Sequence, residues 1–405
     1  MVETEQCKPM RHCLACGSGR LVTYCDLGEQ PLANSYHDGT VDLPEFPLAI
    51  NVCEVCWHSQ LTHSVAPELL FKDYAYVSGT TATLSDYFDG FVQKVIDEFP
   101  YRCLSVMDIA GNDGSLLSKF GAKGHDVLNV DPAANLTAIS EANGVTTLCE
   151  FWTVDTPNII GKKYDALIAM NVLGHVSNPH GFLIGCRNAL ADGGRLWVQT
   201  SQCRWLQNGE FDCAYMEHAS YFSALSFLTL AARSGLTVLS VDIPTIHGSS
   251  YLWKLGLDGN PDPSVDALLD YENDCGLYES DTYVHFGAKA AATATWLYQV
   301  VDEYRDAGYS CVGYGAAAKA MTMLNFSQVN LDWIVDDNPM KQGSFTPGGN
   351  TPIVGVDFLE RIKTPLCIVI TAWNFSREIV QRIRAVRQND DDVFVRYFPN
   401  REIWQ

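Results

Sequence analysis

The sequence predicts an α/β protein: a mostly parallel sheet domain between a small metal-binding lobe and a second α/β domain. Three observations carry this. Strand-length apolar runs alternate with amphipathic helical runs between residues 104 and 200, which places helices on both faces of a parallel sheet. Two CxxC pairs, Cys13/Cys16 and Cys53/Cys56, stand ahead of that region. A further strand–loop–helix pattern starts at Cys311, beyond a proline-marked linker at Pro261 and Pro263. The expected division is a zinc lobe over 1–78, the sheet domain over 79–258 and a C-terminal domain over 259–405.

The four paired cysteines supply four thiolates, the donor set of a closed tetrahedral zinc site. Gly17 relaxes the turn after the first pair. With no open coordination position, such an ion folds the lobe rather than performing chemistry. His12, His58 and His63 lie close by, but four sulfurs need no substitute. The other cysteines, such as Cys103, Cys311 and Cys367, are isolated and read as reduced thiols of a cytoplasmic protein. The opening segment MVETEQCKPMRHC has no apolar core, so no signal peptide is expected. No run approaches the ~20 apolar residues of a membrane span. A net charge of −21 argues against nucleic acid and anionic membranes as partners.

Strands are expected over 104–110, 126–130, 145–148, 166–170 and 195–200, with helices over 116–120, 135–143 and 181–190. The runs 237–243 and 250–257 are separated by little more than His247–Gly248–Ser249, which suits an antiparallel hairpin. The first strand ends in Asp108 and feeds the small-residue turn Ala110, Gly111, Asn112, Asp113, Gly114. Such a turn lets backbone approach a ligand. The second strand ends in Asp131, followed by Pro132, and a carboxylate there can accept both hydroxyls of a ribose. A nucleoside cofactor follows, and polar side chains where a GxGxxG turn would carry glycine argue against a pyrophosphate.

Two segments at strand ends carry reactive side chains. AMNVLGHV offers Asn171 and His175. DCAYMEHASYF offers Tyr215, Glu217, His218 and Tyr221 within seven residues, a set suited to proton transfer near neutrality.

These motifs resemble one family in order along nearly the whole chain. CLACGSG, DLGEQPLANSYHD, CEVCWHSQL, KDYAYVSG, DIAGNDGSLL, NVLGHV, YMEHASYFS, CVGYGAAAKAMTMLNF, WIVDDNPMKQGSFTPGGNTPIV and ITAWNF are similar to segments of zinc-containing sugar C-methyltransferases. These use S-adenosylmethionine (SAM), and their best-known members methylate carbon 3 of dTDP-linked 4-keto sugars. The resemblance implies a class I SAM-methyltransferase Rossmann-like domain, flanked by a zinc lobe and a C-terminal Rossmann-like domain. It implies SAM binding by Asp108, Gly111, Asn112, Asp131, Pro132 and Asn171, and structural zinc on the four cysteines. It implies catalytic roles for Tyr215, Glu217, His218, Asn171 and His175, with His218 as the base that forms an enolate and Tyr215 and His175 as the groups that stabilise its oxygen. Tyr74, Tyr76 and Ser78 fall in the segment that closes over the sugar, and His247 in the hairpin loop. Relatives carry Gly-Gly-Ser-Leu-Arg after that histidine. Here Gly248, Ser249, Ser250, Tyr251 and Leu252 follow, so the arginine is missing.

In the C-terminal domain, Gly313, Gly315 and Lys319 read as a dinucleotide-type loop, with Asp336 and Asp337 at the ribose-acid position. Alone this suggests a second cofactor such as NAD; a nucleotide diphosphate of the substrate, met by helix amides at 316–318 and Lys319, is the favoured reading. The expected partner is therefore a dTDP-like nucleotide sugar, and the protein a monomer or weak homo-oligomer. An O- or N-methyltransferase and a non-catalytic nucleotide-sugar binder are the alternatives.

Overall fold

The computed structural model describes residues 6–39, 41–71, 82–100, 102–201, 204–244 and 250–405. Tyr74, Tyr76, Ser78 and His247 lie outside the described residues. Among the described residues, no helix is long and apolar enough to cross a membrane. The chain divides into two compact units, one of Met1–Val22, Asn51–Arg204 and Glu217–Glu279, the other of Thr23–Ile50, Trp205–Met216 and Ser280–Gln405.

Towards the N-terminus are strands β1 (Cys7–Pro9), β2 (Leu21–Pro31), β3 (Glu45–Cys53), β4 (Ser59–Leu61) and β5 (His63–Val65). Then come β6 (Ser105–Ile109), β7 (Asp126–Val130), β8 (Thr147–Leu148), β9 (Tyr164–Met170), β10 (Leu190–Ser201), β11 (Ser220–Tyr221), β12 (Thr237–Asp242) and β13 (Ser250–Gly256). The last six are β14 (Ser310–Tyr314), β15 (Trp333–Val335), β16 (Ile353–Val354), β17 (Leu366–Ile370), β18 (Val393–Arg396) and β19 (Glu402–Trp404).

The first unit is built on a seven-stranded sheet of order β12-β13-β10-β9-β6-β7-β8. Its five strands from β10 to β8 are parallel. Val106, Met107, Ala166, Leu167, Ile168 and Ala169 are all buried, because helices cover both faces and neither can stay polar. β13 pairs antiparallel with β10 and with β12, the hairpin expected from the sequence. The helix Ala82–Asp97 was not evident in the alternating pattern. It buries Leu84, Phe88, Phe91, Val92 and Val95 in one stripe, at the three- and four-residue spacing of a helix face. Phe91 meets the fully buried Trp197 edge-on at 6.3 Å.

The second unit holds a six-stranded sheet of order β16-β15-β14-β17-β18-β19, parallel except for β19. Its leading strands repeat those of the first unit in register. Met107 faces Leu128 and Asp108 faces Asn129; 205 positions later Val312 faces Trp333 and Gly313 faces Ile334. The expected strand at Cys311 and helix after it are present, the latter as Ala318–Ser327. The helices Pro263–Asp274 and Ser280–Asp306 lie between the proline-marked linker and that strand.

Candidate active site and metal centre

The two CxxC pairs form the same turn twice. Gly17 N–H donates to the Cys13 carbonyl and Trp57 N–H to that of Cys53, at 2.8 and 2.9 Å. Cys13 N–H then reaches the Ser18 carbonyl, as Cys53 N–H reaches that of His58. Gly17 and Trp57 both take positive φ, 79° and 58°, a strain the second turn accepts without glycine. The turns bring the sulfurs of Cys13, Cys16, Cys53 and Cys56 within 4.8 Å of one another. Cys13 to Cys56 and Cys16 to Cys53 are each 3.5 Å. Zinc–sulfur bonds of about 2.3 Å require tetrahedral sulfurs ~3.8 Å apart, so the donor set fits zinc.

At the carboxyl end of β6 the chain must turn sharply into the helix Ser115–Gly121. Ala110, Asn112 and Gly114 have φ of 58°, 54° and 72°. A β-carbon on Gly111 would lie 2.5 Å from Asn129 Oδ1 and 2.9 Å from Asp108 Oδ2, so only glycine fits. Asp131 ties β7 to this turn: Oδ2 accepts Asn112 N–H and Oδ1 accepts Ala133 N–H, each at 2.8 Å. Each oxygen keeps acceptor capacity for a ligand hydroxyl.

Asp108 is fully buried and its Oδ1 has no hydrogen-bond partner. Burial, then the charge of Asp131, pushes its pKa well above the usual carboxylate range. An orphaned buried acid beside a backbone turn fits a ligand that brings a donor or a cation. SAM brings an ammonium and two ribose hydroxyls, and the residues present match both.

At the end of β9, Asn171 has φ 56° and is held by Gln199, whose carbonyl accepts its N–H at 2.9 Å. Gln199 Nε2 donates to Asn171 Oδ1 at 3.2 Å, and Tyr87 O–H donates to Gln199 Oε1 at 2.5 Å. Asn171, Gly174, His175, Thr200, Ser201, His218, Ser220 and Phe222 line one cavity. The sequence reading named three of these eight. The clue to the buttress was a glutamine inside the apolar run LWVQT.

The His175 and His218 rings meet edge to face at 4.9 Å. His175 is buried, which drives its pKa down to about 4, partly opposed by its hydrogen bond to the Glu217 backbone carbonyl. It is therefore neutral at pH 7. It donates one ring N–H to that carbonyl, and the unpartnered Nδ1 is left as an acceptor. A neutral ring in this tautomer cannot donate to a developing enolate oxygen. His175 is thus suited to positioning, rather than to the oxyanion contact that the sequence alone suggested. Glu217 and His218 are buried in the first unit. Tyr215 belongs to the second unit, where the preceding Ala214 carbonyl accepts Thr322 Oγ1–H at 2.7 Å.

In the second unit, Asp336 repeats the Asp131 arrangement. Its Oδ2 accepts Ala316 N–H at 2.7 Å and its Oδ1 accepts Asn338 N–H at 2.8 Å. Lys319 sits over the Trp373 ring at 5.1 Å with Glu210 Oε2 at 3.9 Å. Burial lowers its pKa, but Asp212 and Glu210 outweigh that and hold it charged. Lys341, unremarked in the sequence, bonds the Ala316 carbonyl and rests on the Tyr36 ring at 4.8 Å.

Three family profiles match consecutive stretches: a zinc binding domain over 13–71, a methyltransferase domain over 76–241 and a C-methyltransferase C-terminal domain over 245–399. The chain belongs to the zinc-containing SAM-dependent C-methyltransferases. It is 26% identical to C-methyltransferase NovU of Streptomyces niveus, over 94% of both chains. The ubiquinone biosynthesis O-methyltransferase of Roseobacter denitrificans is 29% identical over 38% of this chain and 69% of its own. Among solved structures, the magnesium protoporphyrin IX methyltransferase of Synechocystis with bound SAM is 15% identical. That match covers 42% of this chain and 78% of that one, at a TM-score of 0.34. The matched methyltransferase and zinc binding domains support SAM as the cofactor and zinc as the ion for the four clustered cysteines.

Proposed function

We propose that this C-methyltransferase methylates a ring carbon next to the ketone of a nucleotide-linked keto-deoxysugar in the cytoplasm, with His218 as the base. The single observation that carries the reading is the His175–His218 pair in a cavity at the carboxyl ends of β9 and β10. Ligands of parallel α/β sheets bind at that edge. A proton next to a ketone is acidic, and a histidine at neutral pH can take it.

Asp131 holds the cofactor ribose, Asp108 meets its ammonium, and Gly111, Asn112, Pro132 and Asn171 complete that pocket. SAM, when bound, supplies the methyl group to the carbon that has lost its proton and leaves as S-adenosylhomocysteine. His218 takes the proton and becomes an imidazolium. Neutral His175 adds no positive charge beside that imidazolium. The developing oxyanion is the charge the site must stabilise, and Glu217 contacts the sugar. Tyr74, Tyr76, Ser78 and His247 contribute to sugar binding.

The nucleotide is assigned to the second unit. Asp336 there accepts sugar hydroxyls as Asp131 does, and the loop amides with Lys341 and Lys319 face the diphosphate. The test is solvent-deuterium exchange into the carbon next to the ketone, with a dTDP-linked 4-keto-6-deoxyhexose and no SAM. Exchange that vanishes in His218→Ala supports the base assignment. Turnover at the wild-type rate in His218→Ala would refute it.

A further inference from the structure

Strand β4 lies between the metal site and the reactive stretch, and both grip it. On one side its residues close the two cysteine turns. The His58 carbonyl, just before β4, accepts Cys53 N–H at 2.9 Å. Gln60, fully buried, accepts Leu14 N–H at 2.8 Å through Oε1 and donates to the His12 carbonyl at 3.2 Å through Nε2. Those two residues flank Cys13. On the other side β4 pairs antiparallel with β11, Ser59 opposite Tyr221 and Gln60 opposite Ser220. Leu61 N–H extends the ladder to the Ala219 carbonyl at 3.1 Å. Two side-chain contacts reinforce it. The His58 ring, wholly buried, lies 3.2 Å by Nε2 from Ser220 Oγ and 4.8 Å from the Phe222 ring. Ser223 Oγ–H reaches the Trp57 carbonyl at 3.4 Å.

Ser220 and Phe222 line the cavity together with His218. A two-residue strand has little intrinsic stability, so β11 owes its place to β4. β4 in turn is fixed by turns that an ion on four thiolates would lock.

We propose that the metal lobe is a positioning device for the catalytic stretch, with His58 as the residue that transmits the constraint from the Cys53–Cys56 turn to Ser220 and so to His218. The SAM turn at 108–114 makes none of these contacts, so its ligand binding is independent of the lobe. The functional consequence rests on the reading of His218 as the base; the structural coupling does not.

The experiment is amide hydrogen exchange on the full-length zinc-loaded enzyme, before and after metal removal with a chelator, and on His58→Phe. Exchange at 219–222 rises at least tenfold in both. At 110–114 it is unchanged, and SAM affinity by calorimetry stays within twofold. His58→Phe keeps its zinc, and its kcat falls at least tenfold with little change in the KM for SAM. His58→Asn, which retains a side-chain donor, recovers part of the loss. Should His58→Phe fail to fold, Ser220→Ala against Ser220→Thr tests the same bond from its other end. Unchanged protection at 219–222 after metal removal overturns the inference, as does loss of SAM binding in step with that protection. Loosened 219–222 with undiminished turnover would uphold the coupling and refute His218 as the base.

Discussion

The two strand–loop–helix corners, at β6 and at β14, share a framework and differ in charge. Ala110 N–H meets the Val130 carbonyl at 2.7 Å, and 205 positions later Gly315 N–H meets that of Val335 at 2.8 Å. Asp131 and Asp336 each clamp two backbone amides. In the first corner a buried Asp108, its Oδ1 without a hydrogen-bond partner, lies below the turn. The matching position in the second is Gly313, and a cation, Lys341, holds the loop carbonyl instead. The first loop, 110–114, is two residues longer than the second, 315–317. One framework therefore carries an acid at its turn in one unit and a lysine in the other. The contrast suits a cationic cofactor in the first and an anionic nucleotide in the second. Shared topology alone would not have separated them.

The sharpest break of this comparison removes the reaction and spares both corners. His218→Ala should lower turnover by at least ~100-fold, the usual worth of a general base, while calorimetric SAM affinity stays within twofold. Next in size is the exchange of acids. Asp131→Ala should weaken SAM by about 10- to 100-fold, as expected for lost hydrogen bonds to a charged group, and leave nucleoside diphosphate binding intact. Asp336→Ala should do the reverse. Equal loss of SAM in both variants would dissolve the distinction between the corners.

Asp108→Asn separates stability from binding. Burial raises the Asp108 pKa in the folded state, so the folded chain loses stability as pH rises through that raised value. The variant should unfold at a higher temperature than wild type at pH 8 without ligand, yet bind SAM about tenfold more weakly. The smallest effect is the pH dependence carried by His175. Its folded pKa, down at about 4, lies below the unfolded 6.5, so its contribution is present above 6.5 and lost as pH falls towards 4. Urea unfolding at pH 5 and pH 7 should show less stability at pH 5, and His175→Asn should narrow the gap.

Much of this was legible in the sequence because local chemistry announces it. The CxxC spacing, the acid-ended strand before Ala110–Gly111–Asn112, and the alternation of strands and helices depend on neighbours in the chain. What stayed hidden depends on partners far apart. Nothing near His58 reveals that its ring meets Ser220, 162 positions away. Nothing near Lys341 in the chain points to the Ala316 carbonyl or to Tyr36, 305 positions away. By residue type alone His175 could equally donate to an oxyanion. Burial and the Glu217 carbonyl, which fix it as a neutral acceptor, are tertiary facts. The apolar stripe of the helix Ala82–Asp97 lies outside the alternating strand–helix region that begins at residue 104.

The most direct test of the account is to incubate the zinc-loaded enzyme with SAM and dTDP-linked 4-keto-6-deoxyhexoses and to locate the new methyl group by NMR. The account predicts a methyl on the ring carbon next to the ketone, in place of the hydrogen taken by His218. A methyl on oxygen or nitrogen, or none on any of these sugars, would contradict it.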